Sequence, residues 1–252
     1  MQQYVTREGM VPLSPIYGRG GVVGLSSQVL ELYPRLRMEC SAFDRLLHDE
    51  ASRVGGQKYA AIVALSARQA LATFELARPP AFANTHEPWA FLKEISSNGD
   101  MSTIDVIFPL YPLLAYTNPR LLHSLLEPYM RYTASGLWPH DWPVHDIGRY
   151  PTAFGHNDGG GEAMPVETAG DLLWMLLAYL QLTGDKDWIA SYYPLLKQWT
   201  GYLISDGLVP AEQLSTDDFA GTSSVVTVPT LADSPFLQAH CRTRPIWPSR
   251  RS

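Results

Sequence analysis

Apolar residues along this chain fall into blocks whose spacing changes several times, and each change predicts an element boundary. No period holds at the start, because Pro12, Pro15 and the Gly18–Gly21 cluster interrupt it, so residues 1–40 are expected to be an extended surface segment. From Ser41 the spacing becomes helical: Phe43, Leu46 and Leu47 repeat on one side up to Gly55-Gly56, a glycine stop. Tyr59 to Leu76 is Ala-rich and apolar nearly all round, interrupted chiefly by Arg68 and Gln69, which predicts a helix covered on several sides. Pro79 to Gly99 reads as a connector. It holds one short strand, Phe91-Leu92-Lys93-Glu94-Ile95, and the turn Ser97-Asn98-Gly99.

Helices then return in pairs. Ser102 to Tyr116 is strongly apolar, and Ser102 is placed to cap it. Asn118-Pro119 caps a second helix carrying Leu121, Leu122, Leu125, Leu126 and Tyr129 on one side. The pairing repeats downstream. Pro165 to Leu182 is almost wholly apolar, and after the turn Thr183-Gly184-Asp185 an amphipathic helix carries Trp188, Tyr192, Leu195, Leu196, Trp199 and Leu203. A densely apolar helix alternating with a one-faced helix implies two concentric helical layers. The expected fold class is therefore all-α: a partial (α/α)6 toroid of about three hairpins with long functional loops, about half of a closed ring. Its domain spans 41–221, and residues 222–252 read as an irregular, disordered tail.

Composition narrows the function. The 252 residues are 46% hydrophobic and 17% charged, which supports a packed core. Nineteen basic against 25 acidic side chains give a net charge of −6, so nucleic acid is not an expected partner. No apolar run reaches the roughly 18 residues of a membrane span. Met1 to Met10 lacks a secretory pattern, which implies a cytoplasmic protein or an incomplete N-terminus. Cys40 and Cys241 form neither a disulfide framework nor a zinc spacing and read as free thiols.

Chemistry concentrates in Trp138–Glu167, WPHDWPVHDIGRYPTAFGHNDGGGEAMPVE. Asp141, Asp146, Asp158, Glu162 and Glu167, with His145 and His156, supply the groups for paired general acid–base work. Each also has a structural reading. Glu167 can cap the helix that Pro165 opens, and Asp146 and Asp158 can cap the glycine turns that follow them. Trp138, Trp142 and Tyr150 can stack on a substrate or pin the loop to its scaffold. His145 and His156 lie eleven residues apart in a loop, which is no metal-ligand signature, and no metal is assigned. Two further acidic spots are Asp217-Asp218 within QLSTDDFAG, and Asp100 with Asp105 after Ser96-Ser97-Asn98-Gly99. Each is either part of the site or a solvated turn. The sequence holds no G-x-S-x-G elbow, P-loop, dinucleotide fingerprint or H-E-x-x-H, so carboxylate chemistry without a cofactor is left.

Four runs in consistent order, GGQKYAAIVALSARQA (55–70), LKEISSNGDMSTIDVIFPLYPLL (92–114), HDIGRYPTAFGHNDGGGEAMPVE (145–167) and QLSTDDFAG (213–221), resemble the fungal secreted glutaminase A family. The resemblance covers about residues 40 to 221 and implies a hydrolase of the six-hairpin, glycosidase-like superfamily that deamidates L-glutamine to L-glutamate and ammonia, usually outside the cell. Family members carry an N-terminal β-rich domain and continue with helices beyond DDFAG, whereas this chain is expected to be a shortened member. Amide hydrolysis by carboxylates needs one acid to activate water, another to protonate the leaving ammonia, and a donor for the oxyanion. The catalytic candidates are Glu162, Glu167, Asp158 and Asp146, with Asp217 and Asp218 in support. His156, Asn157 and Trp142 are candidates for contacting a small-molecule substrate, and Arg149 or Arg68 for holding its carboxylate. Glu167 and Asp171, four apart on one helix face, form a like-charge pair expected to raise one pKa. The competing readings are a glycoside hydrolase on the same scaffold and a non-catalytic fragment with exposed inner helices.

Overall fold

A computed structural model describes residues 1–15, 21–95 and 98–207. Helices dominate, and the described residues do not close a ring. Among the described residues six helices follow in order: α1 Gly21–Ala72, α2 Ile104–Thr117, α3 Pro119–Ala134, α4 Pro165–Thr183, α5 Lys186–Ser191 and α6 Tyr193–Asp206. The core lies where α2, α3, α4 and α6 meet. Ile104, Ile107, Leu114, Leu122, Leu125, Leu126, Leu172 and Met175 are fully buried there, and Trp199 of α6 closes one side. The apolar stripe on α3 is the one its sequence period marks.

Local capping sets several boundaries as expected. Asn118 Oδ1 accepts a hydrogen bond from Leu121 N (3.2 Å), and Pro119 opens α3 where its missing N–H costs nothing. Gly184, with φ of 71°, ends α4, and Asp185 Oδ1 accepts from Trp188 N to start α5. Ser102 does not cap α2. It takes a left-handed backbone (φ 55°) and its Oγ accepts from Leu92 N, while Thr103 precedes the helix. The single amphipathic helix expected after Asp185 is broken at Tyr192, because Pro194 starts a new helix and Tyr192 OH turns inward to Glu127 Oε2 (3.0 Å). Trp188 Nε1 donates to the same carboxylate oxygen (2.6 Å), so one buried acid on α3 fixes α5 and α6.

The N-terminal segment departs most from expectation. Residues 3–15 are extended but paired: β1 Gln3–Thr6 runs antiparallel to β2 Gly9–Pro12, and β3 is Ser14–Pro15. Two three-stranded sheets result, β2-β1-β6 with β6 at Thr152–Ala153, and β3-β4-β5 with β4 Phe74–Arg78 and β5 Trp89–Leu92. Residues 21–40 are helical rather than extended. Between Leu25 and Val54, Pro34 is the sole breaker amid good helix formers, and a single proline costs one helical bond without ending the helix. The Gly55-Gly56 stop is real as a break inside α1, where Gly56 adopts φ 76° and ψ −177°. The second arm ends at Ala72 and is covered on one side rather than several. Ala60 and Ala67 are buried, while Tyr59, Ile62 and Leu65 are exposed. Phe43 and Leu47 of the first arm line a groove with Ala64, Ala67, Arg68 and Leu71 of the second.

Candidate active site

The loop between α3 and α4 is held as an extra strand-like ladder beside residues 99–104. Ile104 N donates to His145 O (3.0 Å), Ile147 N to Met101 O (3.0 Å), Met101 N to Gly148 O (2.7 Å) and Tyr150 N to Gly99 O (2.9 Å). Close approach requires glycine at two turns. Gly148 has φ of 120°, and a Cβ there would lie 2.7 Å from Phe154 N; Gly155 has φ of 70°, and a Cβ would lie 2.5 Å from the Tyr132 ring. Tyr132 OH then accepts from His156 N (2.6 Å) and donates to Asn157 Oδ1 (3.2 Å), while Tyr129 OH donates to Val144 O. Buried tyrosines of α3 thus fix the backbone beside His145 and at His156.

Asp146 engages both imidazoles. This buried carboxylate accepts from Gly148 N (2.8 Å), lies 2.7 Å from His156 Nε2 through the same oxygen, and lies 3.1 Å from His145 Nδ1 through the other. Burial pushes its pKa up, but the bonds to His145 and His156 outweigh that and hold it at about 2. Burial disfavours the charged form of His145, yet the neighbouring Asp105 and Asp146 carboxylates lift its pKa to about 10. His156 is raised by its bond to Asp146.

Further acids gather around this pair. His145 Nε2 sits 3.3 Å from Asp105 Oδ1, an ion-pair contact without aligned hydrogen-bond geometry, and 3.5 Å from Glu162 Oε2. Asp100, raised by burial and by the Asp146 charge, accepts from Arg149 Nε (3.2 Å). A cleft of about 390 Å³ is lined by Asp100, Asp146, Arg149, His156, Gly161 and Glu162 among others. On α4, Asp171 is pushed up to about 7 by burial, by Glu167 and by Asp105, as the four-residue spacing of the two acids implies. Asp100, His145 and Asp146 bring donor atoms within 4.8 Å of one another, but Arg149, the two imidazoles and Gly148 N already engage them. The two carboxylates of the trio are thus paired with His145, His156 and Arg149.

The model of the glutaminase A six helical-hairpin domain matches residues 56–229. The chain belongs to the glutaminase A family. It is 41% identical over 202 residues to glutaminase A of Aspergillus oryzae, covering 78% of this chain and 29% of that protein. It is 34% identical over 251 residues to a probable glutaminase of Arthroderma benhamiae, covering 77% and 28% respectively. The chain thus spans less than a third of the length of these relatives. No solved structure matches it.

Within this glutaminase A domain, the structure gathers some of the residues expected from sequence and separates others. Asp146, Arg149, His156 and Glu162 share the cleft. Glu167 lies in the first turn of α4 and acts on Asp171. Asp158 is exposed, and its Oδ1 accepts from Gly160 N (3.0 Å), a local turn cap. Asn157 is exposed and tied to Tyr132. Trp142 is elsewhere: it stacks on His140 at 4.4 Å, leans on Tyr202 of α6, and lines a separate cleft with Trp138 and Trp199. Arg68 lines the groove within α1, and Asp141 contacts Gln198 of α6. Asp217 and Asp218 lie outside the described residues. The Glu167–Asp171 pair follows from its spacing, but the place of Asp105 beside His145 comes from topology. An acid in the first turn of a helix reads from sequence as a favourable dipole partner, and only the packing of α2 on α4 shows what it faces.

Proposed function

We propose that this domain carries a glutaminase site that deamidates L-glutamine to L-glutamate and ammonia by general acid–base catalysis. The observation that carries the reading is the cleft in which Glu162, Asp146, Asp100, His156 and Arg149 converge on a volume suited to one amino acid, within a family whose relatives are named glutaminases. Glu162, the exposed acid of the cleft, is the base that takes a proton from water as it attacks the side-chain amide carbon. The tetrahedral intermediate then collapses as the amide nitrogen gains a proton and leaves as ammonia. His156, which lines the cleft and whose pKa is raised by its bond to Asp146, is the group that supplies that proton. Arg149, held through Nε by Asp100, keeps its outer N–H groups for the substrate carboxylate. The test is ammonia release from L-glutamine by the purified protein and by Glu162→Gln. Release that falls at least about a hundredfold in the variant, with circular dichroism unchanged, supports the reading. No release from the folded wild type overturns it.

A further inference from the structure

The ring of His145 is nearly sealed, with 3% of its side chain exposed, yet three carboxylates reach it. Asp146 meets Nδ1 at 3.1 Å, and Asp105 and Glu162 meet Nε2 at 3.3 and 3.5 Å. A single N–H shared between two acceptors aligns fully with neither, and Nε2 stands between an acid of α2 and an acid of the glycine-rich loop.

We propose that His145 is a positioning residue: its Nε2–H bridges Asp105 and Glu162 and thereby holds the Glu162 carboxylate over the cleft. This rests on the deamidation reading, and it assigns a role that the catalytic groups themselves do not need to touch. Glu162 follows Gly159, Gly160 and Gly161, the first and last in left-handed or related backbone at φ 77° and 119°. Such a segment has many conformations to lose, so fixing a side chain at its end requires an anchor. The surroundings otherwise oppose that placement. Asp146 beside the ring, Asp105 on α2, Asp100 after β5, and Glu167 with Asp171 on α4 are all acids, and His156 is already engaged by Asp146. Arg149, which lines the same cleft, is paired with Asp100 through Nε and is 61% exposed, so the buried charge that offsets this acidic repulsion beside Glu162 is His145, while 44% of the Glu162 side chain lies in solvent. Protonated at both nitrogens, His145 turns that repulsion into attraction, consistent with its raised pKa. It is too buried to meet substrate, so it acts through Glu162.

A double-mutant cycle distinguishes positioning from general structural support. kcat and KM for glutamine deamidation are measured for wild type, His145→Gln, Glu162→Gln and the double variant. The bridge predicts that His145→Gln lowers kcat at least about thirtyfold with KM within about threefold, and that adding it to Glu162→Gln costs nothing more. Losses that multiply in the double variant overturn the proposal. A second readout needs neither activity nor a changed His145: the 15N titration of the His145 ring in wild type and in Glu162→Gln. Loss of the Glu162 charge lowers the midpoint by at least about half a unit if the bridge exists; an unchanged midpoint overturns it. A folded wild type that releases no ammonia sinks the deamidation reading alone, and the ring titration still decides the bridge.

Discussion

Replacing Asp146 by Asn keeps the shape of the side chain and removes its charge. The carboxylate now accepts from Gly148 N and engages both imidazoles. The amide has one acceptor and one donor group, so in either orientation a buried N–H faces another. The drop of the Asp146 pKa from 3.8 to about 2 corresponds to about 2 kcal/mol of native-state stabilisation. The His145 shift is larger because Asp105 adds to it, and the two shifts describe one shared interaction, so they are not summed. A buried donor left unpaired adds about 1–3 kcal/mol. The expected loss at pH 7 is therefore about 3–5 kcal/mol, in the range for breaking a buried pair. Urea unfolding followed by tryptophan fluorescence at several pH values measures it. The native pKa of Asp146 is depressed, so its contribution is complete above about pH 4 and disappears as pH falls through 2. The native pKa of His145 is raised, so its contribution is complete below about pH 6.5 and is lost as pH rises through 10. The wild-type advantage should peak between pH 4 and 6.5 and narrow on both sides. A loss under about 1 kcal/mol, or an advantage that keeps growing above pH 8, would mean that Asp146 does not stabilise the fold through its two imidazoles.

Other outcomes follow from the same contacts. Asp171→Asn relieves a carboxyl whose native pKa is raised to about 7; it should stabilise the protein by about 1 kcal/mol at pH 8 and leave stability unchanged at pH 3.5, read as melting temperatures. Gly155→Ala forces a methyl against the Tyr132 ring at φ 70° and should cost at least about 2 kcal/mol, whereas Gly170→Ala, with open space around it on α4, should be neutral or stabilising by up to about 1 kcal/mol. Asn118→Ala removes the α3 cap and should cost about 1 kcal/mol in urea unfolding. Asp158→Ala breaks a turn contact to Gly160 outside the cleft lining, and ammonia release should stay within about twofold of wild type.

What the sequence made legible is what local chemistry decides. The Asn118-Pro119 cap, the Gly184 stop and the Gly55-Gly56 break need only neighbouring residues, and all three stand in the structure. The strands near the N-terminus were not legible, because β1 pairs in part with β6, whose Thr152 is far along the chain. Four-residue strands carry too little periodicity to predict such a partner. The same division runs through the site. The 138–167 loop stood out by composition, but Trp142 and Asp146, four residues apart, face different clefts. Asp105 joins the imidazoles only because residues 99–104 pair with the loop and place the start of α2 against His145.

The proposed function places glutamine in the acid–imidazole cleft. Titration of 15N-labelled protein with L-glutamine, read as chemical-shift changes residue by residue, locates the binding site. Changes centred on Asp100, Arg149, His156 and Glu162, abolished in Arg149→Ala, are the expected result. Changes centred on Trp138, Trp142 and Trp199, or none at saturating glutamine, would contradict that placement.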